Sequence, residues 1–187
     1  QYADRGMKQL QKSMNPGYCQ RAAQIILDNK GTVIIGTGFP VYGSFESDGP
    51  IGAIALYRVL IELGYDPIFA CAPPISKILS NGYMTYELPI TGWNESIPII
   101  KRALKELEPN LIVCIERPGV TANGRYFNMY KKDITDHTAK FDLFLQEGKC
   151  PSICVGDGGN EIGMGNVQAA LASLDIIPAV TTCDELV

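Results

Sequence analysis

The sequence predicts an α/β fold: a three-layer, Rossmann-like arrangement with a mostly parallel sheet covered by helices on both faces. Three observations predict it. Short apolar runs alternate with amphipathic stretches along the chain. The apolar runs are continuous rather than alternating, as in Thr32-Val33-Ile34-Ile35 and Leu111-Ile112-Val113-Cys114-Ile115, which is how strands buried on both faces read. Several of these runs end in glycine-rich or polar segments, where α/β sheets carry their ligand loops. The 187 residues suffice for one such core and not for two, so 1–187 is read as a single domain.

Each element follows from its residues. Residues 1–14 are polar with an irregular helical pattern, expected as an N-terminal arm or a partner-facing helix. Asn15-Pro16 reads as N-cap and first position of a helix with the stripe Ala22, Ala23, Ile26 and Leu27, stopped by Gly31. After the strand at 32–35, Gly36-Thr37-Gly38-Phe39-Pro40-Val41 forms a turn. Asp48 is expected to cap a helix from Ile51 to Leu63, with Pro50 early in it and Gly64 as its stop. Pro67–Cys71 is a strand, Pro73-Pro74 opens a short helix to Ser80, and Met84–Pro89 reads as another strand. Trp93–Leu107 is a helix with Glu95, Lys101, Arg102, Lys105 and Glu106 on its wet side. The strand at 111–115 runs into a polar loop from 116 to 133, long enough to expect function or mobility there. Asp136–Gln146 is expected as a helix, Ile153–Val155 as a strand, Val167–Leu174 as a helix and Pro178–Thr181 as a last strand.

Composition excludes several classes. Apolar residues make up 46% and charged residues 19%, the balance of a globular domain. The formal net charge is −4 and no basic run occurs, which argues against a nucleic-acid partner. The apolar runs are short and broken, so no membrane association is expected. The six cysteines are scattered without a C-x-x-C and read as reduced thiols of an intracellular protein. Cys150 and Cys154 lie four apart, but a metal pair there lacks a second Cys/His cluster. The chain begins without Met, shows no signal peptide and stops at Glu185-Leu186-Val187, which reads as a fragment truncated at its C-terminus.

Chemistry concentrates in Gly156-Asp157-Gly158-Gly159-Asn160-Glu161-Ile162-Gly163-Met164-Gly165. Five glycines in ten residues exceed what a turn needs and suit close approach of backbone to a ligand. A phosphate cradle would carry Lys or Ser/Thr here; this turn carries Asp157, Glu161 and the amide of Asn160 instead. If the strands are parallel, the loops at 36–48, 116–133 and 156–161 share one edge of the sheet. They bring Thr37, Glu46, Asp48, Glu116, Arg117, Asn123, Arg125, Asn128, Asp157, Asn160 and Glu161 toward one cleft. Acids outnumber bases, so a divalent cation or an ammonium group fits. Arg117 and Arg125 are each suited to a substrate carboxylate, although Arg117 equally suits a salt bridge. For Glu46 and Asp48 a structural role is favoured over a place in the site, Asp48 as an N-cap. His137, the only histidine, is expected in solvent near a helix start. Gly36-Thr37-Gly38 begins like a dinucleotide fingerprint but lacks its third glycine, so neither a nicotinamide nor a flavin is expected.

Three segments together resemble one family: Gly36–Val41 with Asp48-Gly49-Pro50, Glu116–Gly119 with Asn123–Met129, and Gly156–Gly165. The sequence is similar to the D-glutamate cyclase-like C-terminal domain over nearly its whole length. That resemblance implies a domain that in animals is part of a mitochondrial (matrix) protein and elsewhere stands alone in the cytoplasm. It implies conversion of D-glutamate to 5-oxo-D-proline with loss of water, a hydro-lyase reaction assisted by a divalent metal, Mg or Mn. For that reaction, Asp157 or Glu161 would act as base and Glu116 as acid. Arg117 or Arg125 would clamp the α-carboxylate, and backbone N–H groups of Gly158 and Gly159, or the metal, would bear oxyanion charge. Asn128, Thr37 and Asn160 complete the substrate set, and Asp157, Asp48 and Glu46 are the metal candidates. The expected partner is a small amino acid, with self-association into a homo-oligomer allowed. The alternative is a regulatory domain that binds an amino acid or anion without turnover.

Overall fold

A computed structural model describes residues 6–41 and 43–187. The large sheet contains β1 (Thr32–Thr37), β4 (Asp66–Cys71), β5 (Thr85–Glu87), β6 (Leu111–Ile115), β7 (Ser152–Val155) and β8 (Glu185–Leu186). A separate hairpin pairs β2 (Pro40–Val41) with β3 (Ser44–Phe45). The strand order is β5-β4-β1-β6-β7-β8 and every pairing in it is parallel. The chain thus builds outward from β1 in one direction, then crosses back and builds from β6 in the other. The topological switch point lies between β1 and β6, the place where open α/β sheets bind ligands.

Helices cover both faces, as the continuous apolar strands require. On one face α2 (Tyr18–Asp28), α3 (Asp48–Glu62) and α4 (Ile75–Leu79) pack on Val33, Ile35, Phe69 and Val113. On the other, α1 (Met7–Ser13), α5 (Trp93–Leu107), α6 (Asp142–Glu147) and α7 (Gln168–Leu171) pack on Ile34, Ile112, Cys114 and Cys154. Alternate residues of β1 therefore serve opposite cores, and one residue of register slip would exchange them. No helix among the described residues is long and apolar enough to cross a membrane.

The predicted elements β1, β4, β5, α5, β6 and β7 are present with ends shifted by a few residues at most. Of the expected arm, residues 1–5 lie outside the described residues and α1 follows, with Leu10 buried. Four expectations need correction. The second helix begins after Gly17 rather than at Asn15-Pro16, and its buried side runs through Ala22, Ile25 and Ile26 while Leu27 is exposed. Helix α3 starts at Asp48 itself, after Ser47, so Asp48 is a first-turn acid facing the positive helix end rather than the cap. The helix expected over 136–146 is broken into a 3₁₀ turn at Thr135–His137 and α6. In the stretch between the two turns, the buried Lys140 ammonium donates to the carbonyls of Thr135 and Thr138. Finally, Pro178–Thr181 is not a strand. Its backbone braces loops instead: Ala179 N–H bonds Gly159 O, Val180 N–H bonds Val120 O, and Thr181 O accepts from Gly163 and Gly165. The sixth strand is Glu185–Leu186, paired with Ile153–Cys154.

Candidate active site

The edge of the sheet at the carboxyl ends of β1, β6 and β7 is assembled by backbone contacts between segments far apart in sequence. Residues 117–119 run antiparallel to 160–162: Gly119 N–H donates to Asn160 O at 2.9 Å and Ile162 N–H to Arg117 O at 2.9 Å. A β-carbon at Gly119 would stand 2.8 Å from the backbone of Glu161 and Ile162, so only glycine permits this approach. Asn160 is buried and donates its amide to Phe127 O at 2.9 Å, which ties the loop of residues 121–133 to the glycine-rich turn. From the other face, the first turn of α3 settles onto the switch point. A β-carbon at Gly49 would stand 2.9 Å from Glu116 Cβ and 3.4 Å from both Ile115 O and Thr37 Oγ1.

Asp157 and Glu116 are each brought within electrostatic reach of Glu161. Glu161 is 4% exposed, and its carboxyl is pushed up to about 7. Burial is the largest cause and the charge of Asp157 follows; Glu116 adds a smaller push, and the N–H groups of Glu161 and Gly159 partly offset them. Gly158 packs over the carboxyl: a β-carbon there would lie 2.7 Å from Glu161 Oε1. Asp157 is exposed and lines a separate space of about 300 Å³ beneath α1, with Met7, Lys8 and Met14. Glu116 holds φ at 45°, a left-handed conformation that a non-glycine residue adopts only under constraint, with its N–H bonded to Val155 O at 3.0 Å.

Three buried side-chain polar atoms lack a hydrogen-bond partner among the described residues, and all belong to this edge: Thr37 Oγ1, Arg117 Nε and Glu161 Oε2. Native structures seldom leave such atoms unsatisfied, and sites awaiting a ligand are a recognised exception. Arg117 is 3% exposed. It donates to Thr37 O at 2.9 Å and Ala139 O at 3.1 Å and lies over the Phe141 ring. The salt bridge that the sequence left open for it is not made with any acid among the described residues. Arg125 is placed on the outer side of its loop, ion-paired with Asp133. Asn128 accepts N–H groups of Tyr130 and Lys132 and so shapes that loop.

Among the described residues, no group of three or more His, Cys, Asp or Glu side chains is disposed to hold a metal ion, Asp157, Asp48 and Glu46 included.

Two residues escaped the sequence reading. Asp142 is fully buried and receives Val120 N–H at 2.9 Å, Tyr126 O–H at 2.7 Å and the Thr181 hydroxyl. It ties the loop of residues 116–133 to the segment at 178–181; assigning 136–146 to one helix hid it. His137, expected in solvent, is exposed but lines a cleft of about 310 Å³ together with Pro40, Ser44, Pro74, Asn128 and Lys132. No spacing in the sequence marks it.

A family model described as D-glutamate cyclase-like, C-terminal, matches residues 2–187. The chain is similar to the human mitochondrial D-glutamate cyclase, with 33% identity over 172 residues. That match covers 80% of this chain and 28% of the human protein, so the chain spans less than a third of that relative's length. Among solved structures, the UDP-GlcNAc 2-epimerase from Methanocaldococcus jannaschii is 14% identical, with 67% of this chain and 31% of that one covered and a TM-score of 0.38. An NADH-dependent reductase A1-R' complexed with NAD is 15% identical, with coverage of 78% and 69% and a TM-score of 0.29. At these scores neither likeness carries an argument.

Proposed function

The chain belongs to the D-glutamate cyclase-like C-terminal family, and from that premise we propose that it closes D-glutamate to 5-oxo-D-proline with release of water, using Glu161 to move the proton. The observation that carries this reading is a buried carboxyl with an unpartnered oxygen and a pKa raised to about 7, beyond the carboxyl end of β7 and beside the segment that follows β6. The human relative's name gives the reaction class; for this chain, which spans a fraction of that protein, substrate and roles are our assignment.

The reaction forms a bond between the α-nitrogen and the carbon of the γ-carboxyl group and breaks one carbon–oxygen bond of that carboxyl. The ammonium nitrogen gives up two protons on becoming an amide, and the departing oxygen takes both and leaves as water. No net proton is exchanged. A carboxyl that titrates near neutrality suits both halves of this transfer: ionised, it accepts a proton from the ammonium, and protonated, it returns one to the leaving oxygen. The guanidinium of Arg117 offers the positive charge a substrate carboxylate needs. Asp157 keeps the Glu161 carboxyl basic through its own charge.

The test is incubation with D-glutamate and detection of 5-oxo-D-proline by chiral chromatography. Product is expected, with kcat/KM rising as Glu161 ionises through about pH 7. Glu161→Gln should lower kcat at least ~100-fold, the usual contribution of a general base. Wild-type turnover in that variant removes Glu161 from the mechanism. Stabilisation by D-glutamate with no product after prolonged incubation replaces catalysis by binding.

A further inference from the structure

We propose that the cleft between the β2–β3 hairpin, Pro73-Pro74 and residues 128–137 is a subsite for a small organic carboxylate, one oxygen of which enters the recess beside it and accepts a hydrogen bond from Arg117 Nε. The subsite stands on geometry and charge; only the identity of the acid, D-glutamate, rests on the reading above.

The cleft and the recess share Pro40, Ser44, Pro73, Pro74 and His137 as walls, so the two lie side by side. The cleft has about 310 Å³, at the lower end of ligand pockets and right for an amino acid rather than a nucleotide. The recess has about 20 Å³, room for one water-sized group such as a carboxylate oxygen. Arg117 lines that recess, is 3% exposed and makes no ion pair among the described residues.

A buried cation without a counter-ion is costly, so burial of this kind calls for an anion. The surroundings sharpen the need. Lys140, also buried, lies close enough for Arg117 to repel its charge. Asp142 is the buried acid that faces Lys140, and the exposed Asp136 attracts it more weakly. The buried acids of this edge are Asp142 and Glu161, and neither is ion-paired with Arg117. The one acid among the described lining residues of the cleft, Asp133, is paired with Arg125. Lys132, Asn128 and His137 stand at the rim as polar groups, while Pro40, Pro74 and Ile134 give a carbon chain an apolar wall. This arrangement selects a short acid with a hydrocarbon body.

The experiment uses calorimetric titration with glutarate, glutaramide and D-glutamate on the wild type and on Ser44→Phe. Ser44 is exposed on the hairpin, so the substitution blocks the cleft without entering a core. His137→Ala is the second variant, because changes at the buried Arg117 risk the fold itself. The wild type is expected to bind glutarate and D-glutamate but not the uncharged glutaramide. Ser44→Phe should weaken both acids at least tenfold with an unchanged unfolding midpoint in the absence of ligand, and His137→Ala should weaken them less. Equal binding of glutarate and glutaramide, no glutarate binding at all, or wild-type affinity in Ser44→Phe overturns the subsite. The two proposals fail separately. Binding blocked by Ser44→Phe without any product in the wild type sinks the cyclase reading alone. Cyclisation by Ser44→Phe with wild-type kcat/KM sinks the subsite alone.

Discussion

Replacing Glu161 by Gln should make the protein more stable above neutral pH while it loses activity. The carboxyl's ordinary value of 4.5 is raised to about 7 in the folded chain. Between those values the folded protein holds a proton that the unfolded chain has already lost. Stability therefore falls as pH rises from about 4.5 to about 7, and the whole penalty is present above that window. The difference of roughly 2.5 pH units corresponds to on the order of 3 kcal/mol. For a domain of this size that is roughly 6–12 °C in Tm. Gln keeps the shape and leaves the same atom position without a partner, so subtracting the two proteins isolates the charge. Urea unfolding followed by circular dichroism, from about pH 5 to pH 8.5, measures the difference. It should open in favour of Glu161→Gln as pH rises and level off beyond about pH 7. A difference that stays flat with pH would refute the claim that Glu161 is buried without charge compensation, and the catalytic assignment would lose its support. A gain in stability joined to a loss of turnover is the expected mark of a destabilised functional group.

Other outcomes follow from the same edge. Tyr126→Phe removes the hydroxyl that Asp142 accepts at 2.7 Å and should cost about 1.5–3 kcal/mol in chemical denaturation; Asp142→Asn, which sets an amide against several donors, should cost more. Gly119→Ala would force a β-carbon to 2.7 Å from Ala179 Cβ and 2.8 Å from the backbone at 161–162, so a loss of at least about 1–3 kcal/mol is expected, and amide exchange should speed up at Gly119 and Ile162. Arg125→Ala breaks an exposed pair with Asp133 and should change stability by no more than about 1 kcal/mol, with turnover of D-glutamate essentially unchanged. A large fall in kcat/KM for that last variant would restore Arg125 as a substrate clamp.

Much of this was legible in the residues. Continuous apolar runs announced buried parallel strands because nothing else lets Val33, Ile34 and Ile35 all leave water. Once the strands are parallel, the loops at 36–48, 116–133 and 156–161 must share an edge. The glycine-rich turn, with acids in place of Lys or Ser, pointed to carboxylate chemistry there. What misled was polarity read as exposure. Lys140 and Asp142, inside the stretch read as one helix, are both buried, and a one-dimensional pattern treats charged residues as wet. The helix expected over 136–146 failed for that reason, since Lys140 and Asp142 spend their side chains on backbone groups from other turns and segments.

Alone, the sequence determined the layers, the parallel sheet, the edge on which the three loops gather and the family. Burial periodicity and glycine content are properties of neighbouring residues, and they survive without knowledge of distant contacts. The tertiary structure decided which acid loses its water, that Arg117 meets carbonyls instead of a carboxylate, and that His137 borders a cleft. Each of those depends on what lies within a few ångströms from segments up to eighty residues away, and desolvation, the cause of Glu161's altered acidity, exists only once those segments have closed over it.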